Sequence, residues 1–270
     1  MSDYANIKLI VADMDGTLLD DKKQIDNEMI PLLKQLKERN ILLTLASGRN
    51  IHIMKSFVEE LSIELPIITN NGATLYLNNK CIYEKSMHID ELTYALNLLT
   101  NKDIPYIAYA KEGVYILEED DRFQFFLSRL RGKTDIYKAS KLSDITFHSI
   151  FKVVVIHEDT AYMSDVMNAI NAHCTNLHIV RSEGSIYTLT HILATKGETL
   201  KRILDMYNID ANEVLAFGDN YNDISLFKCA RISVAMSNAE EEVKKEATFI
   251  TKTNNEHGVS IFIKNYLINN

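Results

Sequence analysis

The chain has 270 residues, enough for one or two domains with a substantial core, and 46% of them are hydrophobic with only 9 glycines and 3 prolines. Its formal net charge of −8 argues against a nucleic-acid binder, which normally carries a basic stripe, and Cys81, Cys174 and Cys229 lie too far apart for a C-x-x-C pair, favouring reduced thiols in a cytoplasmic protein over a zinc or disulfide framework. No signal-like leader opens the sequence and no apolar run approaches the ~18 residues of a membrane span, so no membrane association is expected.

Residues 8–12, four of them apolar, run into Asp13-Met14-Asp15-Gly16-Thr17 and predict a buried, parallel strand that ends in two carboxylates. In such sheets ligands collect beyond the carboxyl ends of the strands. Alternation puts Asp13 and Asp15 on one side, and Gly16 lets the backbone turn sharply. Two carboxylates ~4 Å apart repel by ~4 kcal/mol at an effective dielectric of ~20. A cation removes that cost, and Mg2+ suits oxygen ligands.

A helix follows to residue 39, capped by Asp26 or Asn27, with Ile30, Leu33 and Leu36 on one face. Residues 41–46 read as a second buried strand that delivers Ser47-Gly48-Arg49, 51–61 as a helix and 66–69 as a third strand. Asn70-Asn71-Gly72 makes a turn, and 75–77 with 81–83 form a hairpin about Asn78-Asn79.

The character changes between 84 and 189. Helices over 91–99, 121–131 and 160–172 are interspersed with strands over 104–110, 114–117, 151–157, 177–181 and 186–189, which suggests an α+β module with an antiparallel sheet. Glu118-Glu119-Asp120-Asp121 reads as a solvated turn or helix start. Tyr106, Tyr109, Tyr115, Phe123, Phe125 and Phe126 read as core of that module.

The βα alternation then returns. It gives a helix over 198–207, a strand over 213–217 delivering Gly218-Asp219-Asn220-Tyr221-Asn222-Asp223, and a strand over 232–235. A helix capped by Asn238, a strand over 249–250 and a helix over 258–267 complete the chain. The expected fold class is α/β: one doubly wound domain over 1–83 and 190–270, interrupted by an α+β insert over 84–189.

Four loops carry residue types that complement one another. Asp13 can attack phosphorus, splitting a hydrolysis into two displacements through an aspartyl-phosphate. Asp15 can protonate the leaving oxygen and later deprotonate water. Ser47 and the Gly48 N–H can donate to phosphoryl oxygens, and Lys196, opening a helix at Thr195-Lys196-Gly197, adds a positive charge. Asp219 ends a strand as Asp13 does and with it can hold one Mg2+, while Asn222 and Asp223 are spaced to contact phosphate and orient ligands. The eight histidines make no H-E-x-x-H, and no calcium loop or nucleotide-binding glycine motif is present.

Asp13-Met14-Asp15-Gly16-Thr17, Ala46-Ser47-Gly48-Arg49, Thr195-Lys196-Gly197 and Gly218-Asp219-Asn220-Tyr221-Asn222-Asp223, in this order, resemble the haloacid dehalogenase superfamily of phosphatases. The resemblance is closest to the Cof-type subgroup with a type IIB cap. Asn71-Gly72-Ala73, Val234-Ala235-Met236-Ser237-Asn238-Ala239 and Gly258-Val259 extend it over the whole chain.

The resemblance implies a Rossmann-like core, with the insert as a cap that closes over the site and reads the leaving group. It implies that Asp13 and Asp219 give side-chain oxygens, and Asp15 its backbone carbonyl, to Mg2+. Met14, Ser47, Gly48, Lys196 and Asn222 would touch the phosphoryl group, and Arg49 counts among the phosphate-binding residues. The chain departs from the family at Thr188 and His257, where acidic residues are common, and at Leu193, where a glycine is.

The expected function is hydrolysis of a small-molecule phosphate ester, by resemblance a sugar phosphate, in a cytoplasmic monomer or homodimer. Two rivals are a phosphomutase or phosphotransferase using the same aspartyl-phosphate, and a non-catalytic module that senses a phosphorylated ligand.

Overall fold

Side-chain alternation along the central strands dictates how this chain packs. A computed structural model describes residues 4, 6–117, 120–130 and 134–269. The side chains of Phe125 and Phe126, expected in the core, lie outside that description, as do Glu118, Glu119 and Arg131.

In chain order the first elements are β1 (Leu9–Ala12), α1 (Met29–Glu38), β2 (Leu42–Leu45), α2 (Ile51–Glu60), β3 (Ile67–Thr69), β4 (Thr74–Leu77) and β5 (Lys80–Glu84). Next come α3 (Ile89–Asn101), β6 (Tyr106–Ala110), β7 (Gly113–Ile116), α4 (Gln124–Leu130), β8 (Asp135–Lys138), α5 (Leu142–Thr146), β9 (Ile150–Ile156), α6 (Thr160–His173), β10 (Leu177–Glu183) and β11 (Ile186–His191). The last are α7 (Lys196–Tyr207), β12 (Val214–Gly218), α8 (Ile224–Phe227), β13 (Ile232–Ala235), α9 (Glu241–Lys245), β14 (Phe249–Ile250) and α10 (Gly258–Ile263).

Two compact units result: the chain up to Tyr83 together with that from Thr195 onward, and the insert Glu84–Ala194. The insert ends at Ala194 rather than at 189 because β11 runs on to His191, paired with Leu177, and the Ala194 N–H then donates to the His191 carbonyl at 2.8 Å.

The first unit is built on five parallel strands in the order β14-β13-β12-β1-β2. Leu9 of β1 pairs with Leu42 on one side and Val214 on the other. The chain therefore winds one way after β1 and the other way from β12. A crevice opens at the carboxyl ends of two such neighbouring strands.

Both faces of the sheet are covered. Ile10, Ala12, Leu43, Leu45, Leu215 and Phe217 pack with Met29 and Leu36 of α1, Met54 of α2 and Phe262 of α10. Leu9, Val11, Val214 and Ala216 face Leu200, Ile203 and Leu204 of α7 and Val243 of α9. Period-two alternation in strands apolar on both faces yields these two layers. Each such buried Val, Leu, Ile, Phe or Met side chain contributes about 1.5–3 kcal/mol.

Three local expectations change. Helix α1 buries Met29, Leu32 and Leu36 and leaves Ile30 40% exposed. Glu28 rather than Asp26 or Asn27 stands at its N-cap. Asp26 Oδ1 instead accepts from the Glu28 N–H at 3.1 Å in the preceding turn, so the helix begins later and a different stripe meets the sheet.

Strand β3 touches the core sheet through the single bridge Ala46–Ile68 and pairs antiparallel with β4 in a three-stranded sheet with β5. The hairpin between β4 and β5 turns on Asn78 and Asn79, both left-handed at φ 50° and 61°, as a two-residue loop requires. Asn238 does not cap α9, which begins after Glu240. Its amide reaches two loops instead, donating to the Gly16 carbonyl at 2.8 Å and accepting from the Asn254 N–H at 3.1 Å.

The insert carries a six-stranded sheet, β10-β11-β9-β6-β7-β8, antiparallel except for the parallel β7–β8 pair. Leu92, Leu96 and Leu99 of α3 and Met163, Val166 and Ile170 of α6 cover one face, against Ala108, Val153, Val155, Tyr187 and Leu189. Tyr106, Tyr109, Tyr115 and Phe123 are buried, as expected. Strand β8, mostly exposed and without apolar alternation, and the short α5 were not anticipated. Among the described residues no helix is long and apolar enough to cross a membrane.

Candidate active site

Four segments distant in sequence meet at the carboxyl ends of β1 and β12. Asp13 leaves β1, its N–H donating to the Phe217 carbonyl of β12 at 3.1 Å. Lys196 opens α7, where the Thr195 hydroxyl caps the helix by accepting from the Glu198 N–H at 3.2 Å. Gly197 lets α7 approach α8 closely, since a Cβ there would stand 2.1 Å from the Ser225 carbonyl oxygen. The Lys196 side chain is fully buried, and its Nζ lies 2.6 Å from Oδ1 of Asp13 and 2.6 Å from Oδ1 of Asp223.

Asp223 is itself fully buried and anchored, its Oδ2 accepting from the N–H groups of Asp219 and Asn220 at 3.0 Å each. That shapes the loop after β12 and holds Asp219 toward β1. Asp219 Oδ1 accepts from the Thr17 hydroxyl at 2.7 Å, and Gly16, left-handed at φ +79°, packs so tightly on this carboxylate that a Cβ would stand 2.2 Å from Oδ2.

Asp13, Asp219 and Asp223 each offer a carboxylate oxygen, and these atoms lie within 4.8 Å of one another. Three carboxylates face the one ammonium of Lys196. Burial, opposed by Lys196 and reinforced by Asp223 and Asp219, holds the Asp13 carboxyl well above the ordinary range. Burial and then Asp223 push Asp219 up to about 6, against the Thr17 hydrogen bond. Burial works against the Lys196 charge, yet Asp13 and Asp223 raise its pKa above the ordinary lysine range. An excess of buried negative charge with hard oxygen donors fits a divalent cation such as Mg2+. With both Asp223 oxygens engaged internally, Asp13 and Asp219 are the side chains with oxygens to give.

Asp15 points elsewhere. Its carboxylate takes a two-pronged contact from Arg49, with Nε 2.6 Å from Oδ2 and Nη2 2.6 Å from Oδ1, and a further bond from Lys23 Nζ at 2.7 Å. Burial would raise this carboxyl, but the Arg49 and Lys23 hydrogen bonds outweigh it and bring it to about 2. Arg49, expected on the phosphate, is thus committed to Asp15 here, because a guanidinium fork matches a carboxylate well. Met14 is fully buried in the core beneath the loop, so any contact it makes with a ligand comes from its backbone.

Ser47 is buried at the end of β2, its hydroxyl accepting from the Arg49 N–H at 3.2 Å. Asn222 is exposed, its Nδ2 donating to Asn71 Oδ1 at 2.9 Å. Thr17 and Asn71 were not anticipated as site residues. Thr17 was legible as part of Asp13-x-Asp15-Gly16-Thr17, but the bond it makes depends on a partner 202 residues away. Of the departures from the family pattern, Thr188 and Leu193 lie in the insert and His257 adopts a left-handed φ of 60° just before α10.

A doubly wound parallel sheet with paired aspartates at its switch point and a lysine at a helix start defines a class of α/β proteins whose site suits a phosphoryl group and a divalent cation. Residues 10–263 match the haloacid dehalogenase-like hydrolase family, and the chain belongs to it. Phosphatase YwpJ of Bacillus subtilis is 29% identical over 285 residues, covering 97% of this chain and 100% of that protein. The 5-amino-6-(5-phospho-D-ribitylamino)uracil phosphatase YwtE of the same organism is 26% identical, covering 97% of this chain and 98% of that protein. The crystal structure of a haloacid dehalogenase-like hydrolase from Bacteroides thetaiotaomicron superposes with a TM-score of 0.82 at 28% identity, covering 96% of this chain and 98% of that one.

Proposed function

We propose that this hydrolase of phosphoric monoesters acts on a small sugar or sugar-alcohol phosphate through an aspartyl-phosphate on Asp13, with Mg2+ beside it. The observation that carries the reading is the convergence of Lys196, Asp223 and Asp219 on Asp13. The relative named for a phospho-D-ribitylamino compound supports the sugar-alcohol class.

Asp13 and Asp219, with the Asp15 carbonyl, would hold Mg2+, which supplies charge neutralisation at the phosphoryl group. Lys196 orients Asp13 and offsets part of the negative charge. A carboxylate oxygen of Asp13 bonds to phosphorus as the bond from phosphorus to the leaving oxygen breaks, and that oxygen takes a proton from Asp15. Asp15 then removes a proton from water, whose oxygen bonds to phosphorus as the Asp13–phosphorus link breaks. Inorganic phosphate leaves and Asp13 is restored. To carry a proton Asp15 must first leave Arg49 and Lys23, and an arriving anion that draws Arg49 away provides the occasion. Ser47, Gly48 and Asn222 would steady the phosphoryl oxygens, and the insert Glu84–Ala194 would select among esters.

Phosphate release from a panel of sugar phosphates, sugar-alcohol phosphates and p-nitrophenyl phosphate, with Mg2+ or with chelator, tests the reading. Turnover is expected only with the metal and is expected to vanish in Asp13→Asn. Undiminished turnover in that variant removes Asp13 as nucleophile. An isomerised sugar phosphate in place of free phosphate assigns the chain to phosphoryl transfer between hydroxyls.

A further inference from the structure

The turn Asn70–Gly72 joins three segments that the phosphatase reading assigns to phosphate. Its backbone is unusual: Asn70, Asn71 and Gly72 are successively left-handed, at φ 52°, 58° and 97°. Such a run is unfavourable for L residues, although Asn tolerates it better than most, and it persists only where surrounding contacts over-determine it.

Those contacts are specific. The Asn70 N–H donates to the Arg49 carbonyl at 2.9 Å and the Asn71 N–H to the Ser47 carbonyl at 3.0 Å, tying the turn to the Ser47–Arg49 loop. On the other side Gly72 lies against the start of α7. A Cβ there would stand 2.1 Å from the Thr195 carbonyl oxygen, and the Gly72 carbonyl accepts from the Thr199 hydroxyl at 2.6 Å. The Asn71 side chain fills the remaining corner. Its Oδ1 accepts from Asn222 Nδ2 at 2.9 Å and lies 2.8 Å from where a Cβ on Gly48 would be, so a larger residue at 48 would displace the Asn71 amide.

We propose that Asn71 is a positioning residue of the phosphoryl site, holding the Asn222 amide and the Gly48 backbone at a fixed spacing from Lys196 through the Asn70–Gly72 turn. The proposal rests on the phosphatase reading above. Asn71 spends one acceptor on one of the two Asn222 N–H groups and thereby fixes the direction of the other. An amide pair at an exposed rim contributes little to stability, because water replaces the lost partner. The cost of losing it falls on ligand orientation, where small displacements are expensive.

The test uses the full chain with Asn71→Gly, which keeps the left-handed backbone, Asn71→Asp, Asn222→Ala and the double variant Asn71→Gly/Asn222→Ala. Inorganic phosphate is titrated calorimetrically in Mg2+, and kcat and KM are measured on p-nitrophenyl phosphate. Asn71→Gly is expected to melt within about 3 °C of the parent. Its phosphate affinity and kcat/KM are expected to fall by about tenfold to a hundredfold, mostly in KM. The double variant is expected to be within about twofold of Asn222→Ala alone, since the two residues act as one unit. Asn71→Asp keeps the acceptor but adds a charge beside the bound anion, so its phosphate affinity is expected to fall even if Asn71→Gly does not fold.

Parent-like phosphate affinity in Asn71→Gly or Asn71→Asp overturns the proposal, as does a double variant whose loss equals the product of the single losses. Absence of turnover in the parent would count against the phosphatase reading alone, because the calorimetric comparison still decides the role of Asn71.

Discussion

Lys196 Nζ lies 2.6 Å from Asp13 Oδ1 although 183 residues separate the two in the chain, and neither side chain has more than marginal access to solvent. The pair sets the charge balance of this buried cluster. A buried ion pair offers little net stability over an apolar replacement, but breaking it by removing one partner is costly.

Lys196→Met is therefore expected to lose about 3–5 kcal/mol of stability, since it leaves Asp13, Asp219 and Asp223 without their common cation. Activity should fall at least about a hundredfold, the scale seen when one preorganised donor is removed. Urea melts and phosphate-release kinetics on the purified variant check both. A variant as stable as the parent would mean that the three carboxylates find another partner.

Asp219 titrates at about 6, raised by burial and by Asp223, whereas in the unfolded chain it returns to about 3.9. A carboxyl whose pKa rises on folding binds its proton more tightly in the native state. Between roughly pH 4 and 6 the folded chain thus carries more proton than the unfolded one, and this group makes metal-free stability fall as pH rises through that window. In chelator the melting temperature is expected to drop from pH 5 to pH 7, and Mg2+ should raise it more at pH 7 than at pH 5. The apparent Mg2+ affinity should weaken by up to about tenfold per pH unit below 6, because metal and proton compete for the same oxygens. A pH-independent response to Mg2+ would remove Asp219 from the ligand set.

Gly16→Ala combines a left-handed backbone with a Cβ placed 2.2 Å from Asp219 Oδ2. The backbone alone costs on the order of 1–3 kcal/mol. The carboxylate must also shift, so the Mg2+ concentration needed for half-maximal activity is expected to rise together with the loss of stability. Metal titrations of activity and of melting temperature measure the two effects separately.

Asp15 is held at about 2 chiefly because the bonds from Arg49 and Lys23 overcome its burial. Its lowered pKa gives stability that is present above about pH 4 and is lost as pH falls toward 2. Arg49→Met removes two of these bonds, so the Asp15 carboxyl should move up, and the alkaline limb of the kcat/KM profile, which a general acid sets, should move up with it. Lys23→Ala, at a half-exposed side chain, should move the limb less. An unmoved limb in Arg49→Met would mean that another group sets it.

Much of the site was legible locally. The apolar runs before Asp13, Ser47 and Asp219 announce buried strands, and β1, β2 and β12 deliver those residues at their carboxyl ends. Thr195-Lys196-Gly197 likewise reads as the turn that opens a helix, while the Thr195 cap and the close approach of Gly197 to Ser225 are set by the fold. Strand β8 and α5 escaped because a mostly exposed strand carries no hydrophobic period to read. Asn238 reads as a cap because an Asn before an acidic helix suits one, and only the neighbouring Gly16 and Asn254 loops decide that its amide goes to them instead.

What the amino-acid order determined unaided was most of the elements and the residue types at their ends, since helix and strand periods, glycine turns and carboxylate spacing are short-range properties. The folded chain alone decided which charges meet. Arg49 goes to Asp15, Lys196 lies between Asp13 and Asp223, and Asn71 takes Asn222. Each of these pairings spans between 27 and 183 residues and depends on the order in which parallel strands assemble, which no local pattern encodes.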